Sequence, residues 1–310
     1  MTKPSLRTIP VPGPGAEDVV VDGSGLVWTG TADGRIWRVR PDGRQVDQVG
    51  DTGGRPLGLE LLPDDRLLVA DAKQGLLAMD KTTGAIERLV DAVDGRRMLF
   101  CNNAAVARNG DIWFSDTSTQ YGIDEWKADF VQNTQTGRLF VRRANGRVER
   151  HLDGLAFANG VALAADESFV LVAETGRRTV VRLWLSGDRA GTHELFCEDL
   201  PGYPDNIARG SDDLVWVTIA SPKDPVVELL QHRASLGVRK LVTRIPVGLQ
   251  PKPKRTARVQ AYDDTGRLVH DLDADSSTWH MATGVREHDG QVWLGSLEEP
   301  AVAVLASTAD

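Results

Sequence analysis

The sequence predicts an all-β chain folded as a single six-bladed β-propeller over residues 1–310, with four-stranded blades and an N-terminal strand closing the last one. Three observations predict it. A stretch reading strand, tight turn, strand recurs six times, clearest at Glu17-Asp18-Val19-Val20-Val21-Asp22-Gly23-Ser24-Gly25-Leu26-Val27-Trp28. Further copies start at Asn102, Asn159, Asp205 and Ala282, with a weaker one at Leu57. Eleven residues after each start stands an apolar side chain, Trp28, Leu68, Trp113, Val170, Trp216 and Trp293, four of them tryptophan. The starts are spaced by 40, 45, 57, 46 and 77 residues. That is a unit of about 40 to 50 residues with insertions, the span of a four-stranded propeller blade.

In chain order, residues 1–14 hold one short β-prone run, Leu6-Arg7-Thr8-Ile9-Pro10-Val11, ahead of a Pro/Gly-rich segment. The last unit offers only three strands, around 284–287, 292–296 and 301–305. The N-terminal run is therefore expected to supply its outer strand, because an open circular array leaves two unpaired edges. Asp33-Gly34, Asn109-Gly110, Asn145-Gly146 and Asp289-Gly290 mark hairpin turns between strands.

Two insertions interrupt this regularity and are expected on the rim where the channel opens. The first, about 117–135, contains Asp124-Glu125-Trp126-Lys127-Ala128-Asp129-Phe130, whose aromatics stand four apart as one helical face requires. The second, about 221–258, begins with Asp224-Pro225, an N-cap followed by proline at the first helical position, and continues through Val226, Leu229 and Leu230. Its later part, Gln250-Pro251-Lys252-Pro253-Lys254-Arg255, reads as an extended basic rim loop in solvent rather than a lipid contact. Both insertions are expected to wall or cover the channel mouth.

With 310 residues and 41% hydrophobic content the chain can bury a large core. The 36 basic and 44 acidic side chains leave a net charge of −8, which argues against nucleic acid as a partner. Met1-Thr2-Lys3-Pro4-Ser5 leads into polar sequence, and no stretch of 18 apolar residues occurs. A cytoplasmic chain with no membrane insertion is expected. Cys101 and Cys197 are expected as reduced core thiols.

Equivalent positions in six blades converge on one axis, and the six starts read Glu17, Leu57, Asn102, Asn159, Asp205 and Ala282. Glu17, Asn102, Asn159 and Asp205 thus bring four oxygen donors together, as Ca2+ requires from carboxylates and amide carbonyls. The competing reading is that Asn and Asp merely begin or end strands; the shared register favours the metal. Four protein ligands leave room for water and substrate, which suits polarisation of an electrophilic oxygen and hydrolysis. A purely structural axial ion remains the alternative.

Asp18, Asn103 and Asn206 follow three of the starts and are candidates for holding the ligands in place, as are Asp116 and Glu174 farther along their second strands. Strand-end capping is an equal alternative for the last two. His280, two residues before the sixth start, is a candidate general base, against a structural role for a single histidine. Trp126, Tyr121 and Trp279 are candidates for lining an apolar substrate pocket or, equally, for the core.

Several motifs carry a family likeness. Phe100-Cys101-Asn102-Asn103-Ala104-Ala105, Asp116-Thr117-Ser118-Thr119-Gln120-Tyr121-Gly122, Phe157-Ala158-Asn159-Gly160-Val161, Val172-Ala173-Glu174-Thr175-Gly176 and Leu200-Pro201-Gly202-Tyr203-Pro204-Asp205-Asn206-Ile207 resemble the strictosidine synthase-like family. That family belongs with the six-bladed calcium propellers that include gluconolactonase, senescence marker protein, luciferin-regenerating enzyme, squid-type diisopropylfluorophosphatase and the paraoxonases. The resemblance implies Ca2+ ligands at Glu17, Asn102, Asn159 and Asp205, with Asp205 or a metal-activated water as nucleophile. In the condensing members a catalytic glutamate falls on Thr283, and a threonine cannot do that acid/base work. The resemblance therefore implies a calcium-dependent hydrolase of a lactone, aryl ester or phosphotriester, with a small molecule as its partner. A non-enzymatic binding propeller with structural calcium is the second reading, and a condensing enzyme the third.

Overall fold

A computed structural model describes residues 3–246 and 252–306, arranged as six four-stranded antiparallel sheets in a ring. Gln250 and Pro251 of the predicted basic loop lie outside the described residues. The innermost strands are Val19–Val21, Pro56–Leu61, Cys101–Val106, Ala158–Leu163, Gly202–Arg209 and Ala282–His288. Each packs against the innermost strand of the next blade, and the sixth returns to the first. Both cysteines are free. No described helix is long and apolar enough to cross a membrane.

In two blades the hairpin turn and the landmark tryptophan form one device. In the first blade the turn residue Asp22 accepts hydrogen bonds from the backbone of Ser24 (2.9 Å) and Leu26 (3.1 Å) with one oxygen. Its other oxygen accepts the indole Nε1–H of Trp28 at 2.8 Å. In the fifth blade Asp212 accepts from Leu214 N (3.0 Å) and Trp216 Nε1 (3.1 Å). A buried indole must place its N–H, and the hairpin carboxylate supplies the acceptor. The aspartate thereby shapes the turn and orients the tryptophan that packs between sheets.

The blades meet through residues one or two positions after the starts. Asp18 in the first blade accepts Leu59 N of the second at 2.8 Å, and Asn103 in the third accepts Val161 N of the fourth at 2.9 Å. Even-numbered blades present glycine at the matching contact. A Cβ on Gly160 would fall 2.6 Å from the Asn206 Cα, and one on Gly284 would fall 2.5 Å from the Asp18 Cα. Such separations are below van der Waals contact, so only glycine admits these backbones so closely.

The ring is closed as the sequence predicts. Leu6–Pro10 pairs antiparallel with Ala301–Ala306, from Leu6 opposite Leu305 to Pro10 opposite Ala301, as the outer strand of the sixth blade. Ile9 and Val11 are buried in a cluster with Trp293, Val302 and Val304. Deleting residues 1–11 removes this strand and two buried aliphatics, a loss of at least about 3 kcal/mol from burial alone. Thermal unfolding should show a sharply lowered melting temperature; an unchanged one contradicts the closure.

Candidate functional site

Glu17, Leu57, Asn102, Asn159 and Asp205, five of the six starts, line one cavity of about 350 Å3 at the end of the channel. Ala282 does not line it, and its neighbour Met281 does. The floor is polar and the walls are apolar.

The two amides are oriented by threonines one strand away. Asn102 Nδ2 donates to Thr117 Oγ1 at 2.9 Å, and Asn159 Nδ2 donates to Thr175 Oγ1 at 3.2 Å. Thr117 Oγ1 donates in turn to Ala158 O at 2.7 Å, tying the third blade to the fourth. With each amide nitrogen engaged, each carbonyl oxygen is the free end. The Asn159 Oδ1 is buried without a hydrogen-bond partner among the described residues. A buried acceptor in that state costs about 1–3 kcal/mol unless something satisfies it.

The carboxylates complete the floor. Burial pushes Glu17 up to about 7, even though Arg55 opposes the shift through an ion pair of 2.9 Å to Oε2. Asp205 is held well above the usual carboxylate range, first by burial and then by the charge of Glu17, against a contact from the Asn159 side chain. Two enclosed carboxylates, one raised further by the other, and an unsatisfied amide oxygen form a set of hard oxygen donors. The residues therefore fit a hard divalent ion, with Arg55 satisfying one oxygen of Glu17. Among the described residues no group of three or more His, Cys, Asp or Glu is placed to hold a metal; the set here contains two carboxylates and two amides.

The rim insertions form a helical cap. Residues 123–125 make a 3-10 turn, followed by α1 (Trp126–Gln132). Trp126 and Phe130, four apart, both line the cavity. α2 (Pro225–Arg233) starts as the sequence predicts, with Asp224 Oδ1 accepting from Val226 N at 2.8 Å and Pro225 in the first turn. α3 (Leu236–Val242), capped by Ser235, was not foreseen in the sequence. Gln132 joins the two insertions by donating to Thr243 Oγ1 at 2.9 Å. Phe130 packs edge-on against Tyr203 and Phe157, with ring centroids 4.8 and 6.0 Å apart.

Other candidates fall elsewhere. Asp18 and Asn103 lie beneath the floor as the inter-blade acceptors described above, and burial pushes Asp18 up to about 7. Asn206 donates across the channel from the fifth blade to Leu57 O of the second at 3.3 Å. Thr283 is buried and donates to Glu17 O at 2.9 Å, so it positions the Glu17 backbone and leaves no acid/base group there.

Asp116 does not touch Asn102. It pairs with Arg138 and accepts Phe100 N at 3.2 Å, so it holds the loop leading into the third blade. Glu174 does the same for the fourth by accepting Ala156 N at 2.8 Å.

Three expectations are corrected. His280 is not at the floor: Nδ1 contacts Glu299, Nε2 lies 3.2 Å from Glu298, and the ring is outside the cavity. Those carboxylates hold its imidazole outside the cavity, away from the oxygen floor that a general base would serve. Trp279 is buried in the core between the fifth and sixth blades, with Nε1 donating to Ala301 O at 2.9 Å, and lines no pocket. Tyr121 hydrogen-bonds Gln132 at 3.0 Å and supports α1 rather than the cavity.

The sequence reading missed Arg55, Thr117 and Thr175. The threonines stand 15 and 16 residues after their starts, a signal the repeat register contains. Arg55 has no counterpart in the other units.

Comparison with known proteins follows the same lines. Residues 16–234 match the SMP-30/Gluconolactonase/LRE-like region. The chain is 35% identical to Protein STRICTOSIDINE SYNTHASE-LIKE 10 of Arabidopsis thaliana, over 97% of this chain and 88% of that one. Among solved structures, a gluconolactonase from Xanthomonas campestris superposes with a TM-score of 0.71 at 17% identity, covering 97% of this chain and 89% of the other. The calcium-binding protein regucalcin from Agrobacterium tumefaciens superposes with a TM-score of 0.67 at 13% identity, covering 99% and 96%. At those identities the likeness to the two structures is one of fold. The match over residues 16–234 and the plant relative establish the lineage: the chain belongs to the SMP-30/gluconolactonase/LRE-like family of six-bladed propellers.

Proposed function

We propose that this chain is a calcium-dependent hydrolase whose substrate is an apolar lactone, aryl ester or phosphotriester. The observation that carries the proposal is the pairing of an unsatisfied oxygen floor with an apolar, capped cavity. A cavity of about 350 Å3 under a helical cap and above the donors gives a small molecule a place beside the ion. Phe100, Trp126, Phe130, Phe157 and Tyr203 favour a substrate with an aromatic or aliphatic body over a polyol. The family description names gluconolactonase, which supports the reaction class, and a neighbour in fold is calcium-binding, which is consistent with the ion. The two free cysteines support a reducing, cytoplasmic setting.

Glu17, Asn102, Asn159 and Asp205 would hold Ca2+, which when bound supplies a Lewis acid to the electrophilic oxygen. Thr117 and Thr175 fix the amides with their oxygens free. Arg55 restrains Glu17, so Asp205 is the floor carboxylate with no cationic side chain paired to it. Asp205 acts in one of two ways. It takes the proton of the water that adds to the carbonyl or phosphoryl centre and returns it to the departing oxygen as that bond breaks. Alternatively it attacks directly, forming a mixed carboxylic anhydride or an acyl phosphate and expelling the alcohol or phenol oxygen, which takes a proton from water; a second water then cleaves the anhydride and restores the carboxylate. Label in the Asp205 carboxylate after single turnover in 18O-labelled water identifies direct attack, with water cleaving the intermediate at the Asp205 carbonyl carbon.

Asp205→Asn should lower kcat by about 1000-fold or more while the melting temperature stays within a few degrees; full retained activity overturns the assignment. Thr117→Val frees the Asn102 amide to rotate, and calcium affinity measured by calorimetry should fall by about tenfold or more. Unchanged affinity would show that the Thr117 contact does not position a ligand.

A further inference from the structure

The cap carries a surface that catalysis does not explain. An amphipathic surface helix normally turns charged residues outward. On α2 and α3 the outward residues include Val226, Leu229, Leu236, Val238 and Leu241, between 48 and 67% exposed. Six of the eleven exposed large hydrophobic side chains among the described residues fall within 226–245. On α2 they follow one stripe, Val226, Leu229 and Arg233, while Val227, Leu230 and Gln231 turn inward to the cavity or to α1.

Charge is segregated onto the same segment. Residues 221–258 hold nine basic and two acidic side chains, leaving 27 basic and 42 acidic in the rest of the chain. An insertion of net +7 thus projects from a body of net −15. Arg233, Lys240, Arg244, Lys252 and Lys254 are exposed and make no ion pair among the described residues. Val226, Lys252 and Lys254 also line the cavity, so this surface surrounds its mouth.

From this pairing of exposed aliphatics with unpaired cations around the mouth, we propose that the α2–α3 face docks on the surface of an anionic lipid bilayer. Aliphatic side chains would enter the boundary between headgroups and acyl chains, while the lysines and arginines meet lipid phosphates and carboxylates. The acidic body would face away from the lipid. A second copy of this chain is the weaker occupant, because a two-fold contact sets this cationic face against itself. The inference does not depend on the reaction proposed above.

Flotation of the full chain with vesicles tests it. Phosphatidylcholine vesicles should carry little protein, and vesicles enriched in phosphatidylserine should carry most of it at low salt, with release at high salt. Lys240→Glu/Arg244→Glu and Leu229→Ser/Leu241→Ser, at positions outside the cavity, should each weaken vesicle binding at least tenfold. Melting temperature and turnover of a water-soluble substrate should be unchanged. Absence of binding to anionic vesicles, or binding indifferent to both double variants, overturns the proposal. So does a concentration-dependent dimer that Leu229→Ser/Leu241→Ser abolishes while vesicles go unbound.

Discussion

The structure depends on how closely six backbones can approach around one axis. Just after the starts, polar side chains of odd blades meet glycines of even blades: Gly58 and Gly160 one residue after their starts and Gly284 two. Asp18 and Asn103 each hold a backbone N–H of the next blade, and Gly160 and Gly284 lie where a methyl group would meet a neighbouring Cα. This contact draws the inner strands together, and their first residues become the floor of a cavity. A substitution that widened the contact would move the oxygen donors apart without touching any of them.

On that floor two requirements pull in opposite directions. Folding disfavours enclosed carboxylates and unpaired amide oxygens, yet Glu17, Asp205 and Asn159 supply both. Arg55 offsets part of the cost at Glu17, and the threonines commit the amide nitrogens. What remains is a demand for positive charge at the base of an apolar chamber. The cap completes the arrangement: α1 contributes Trp126 and Phe130, and α2 contributes Val227 and Leu230.

Much of this was legible in the sequence wherever the repeat imposed register. The six starts and the Trp28-type landmark located the inner strands, and register alone brought Glu17, Asn102, Asn159 and Asp205 to one cavity. The closing strand was legible because a ring permits no unpaired edge. Residues read by adjacency in the chain fared worse. His280 and Trp279 precede the sixth start by two and three residues, but the chain there is still outside the channel, and both serve the blade's own packing. The Asp224-Pro225 signal located α2, whereas α3 is seven residues long, too short for its periodicity to stand out. The exposed leucines of α2 and α3 could not be read from the sequence, because that requires knowing which helix face is covered.

The central claim is that the oxygen floor holds a catalytic cation. One metal-loaded preparation assayed on a panel of lactones, aryl esters and organophosphates, before chelation, after chelation and with calcium restored, tests it most directly. The account predicts turnover of at least one apolar substrate, lost on chelation and recovered with calcium. Turnover that survives complete chelation, or a melting temperature that falls on chelation with no turnover in any preparation, would contradict it.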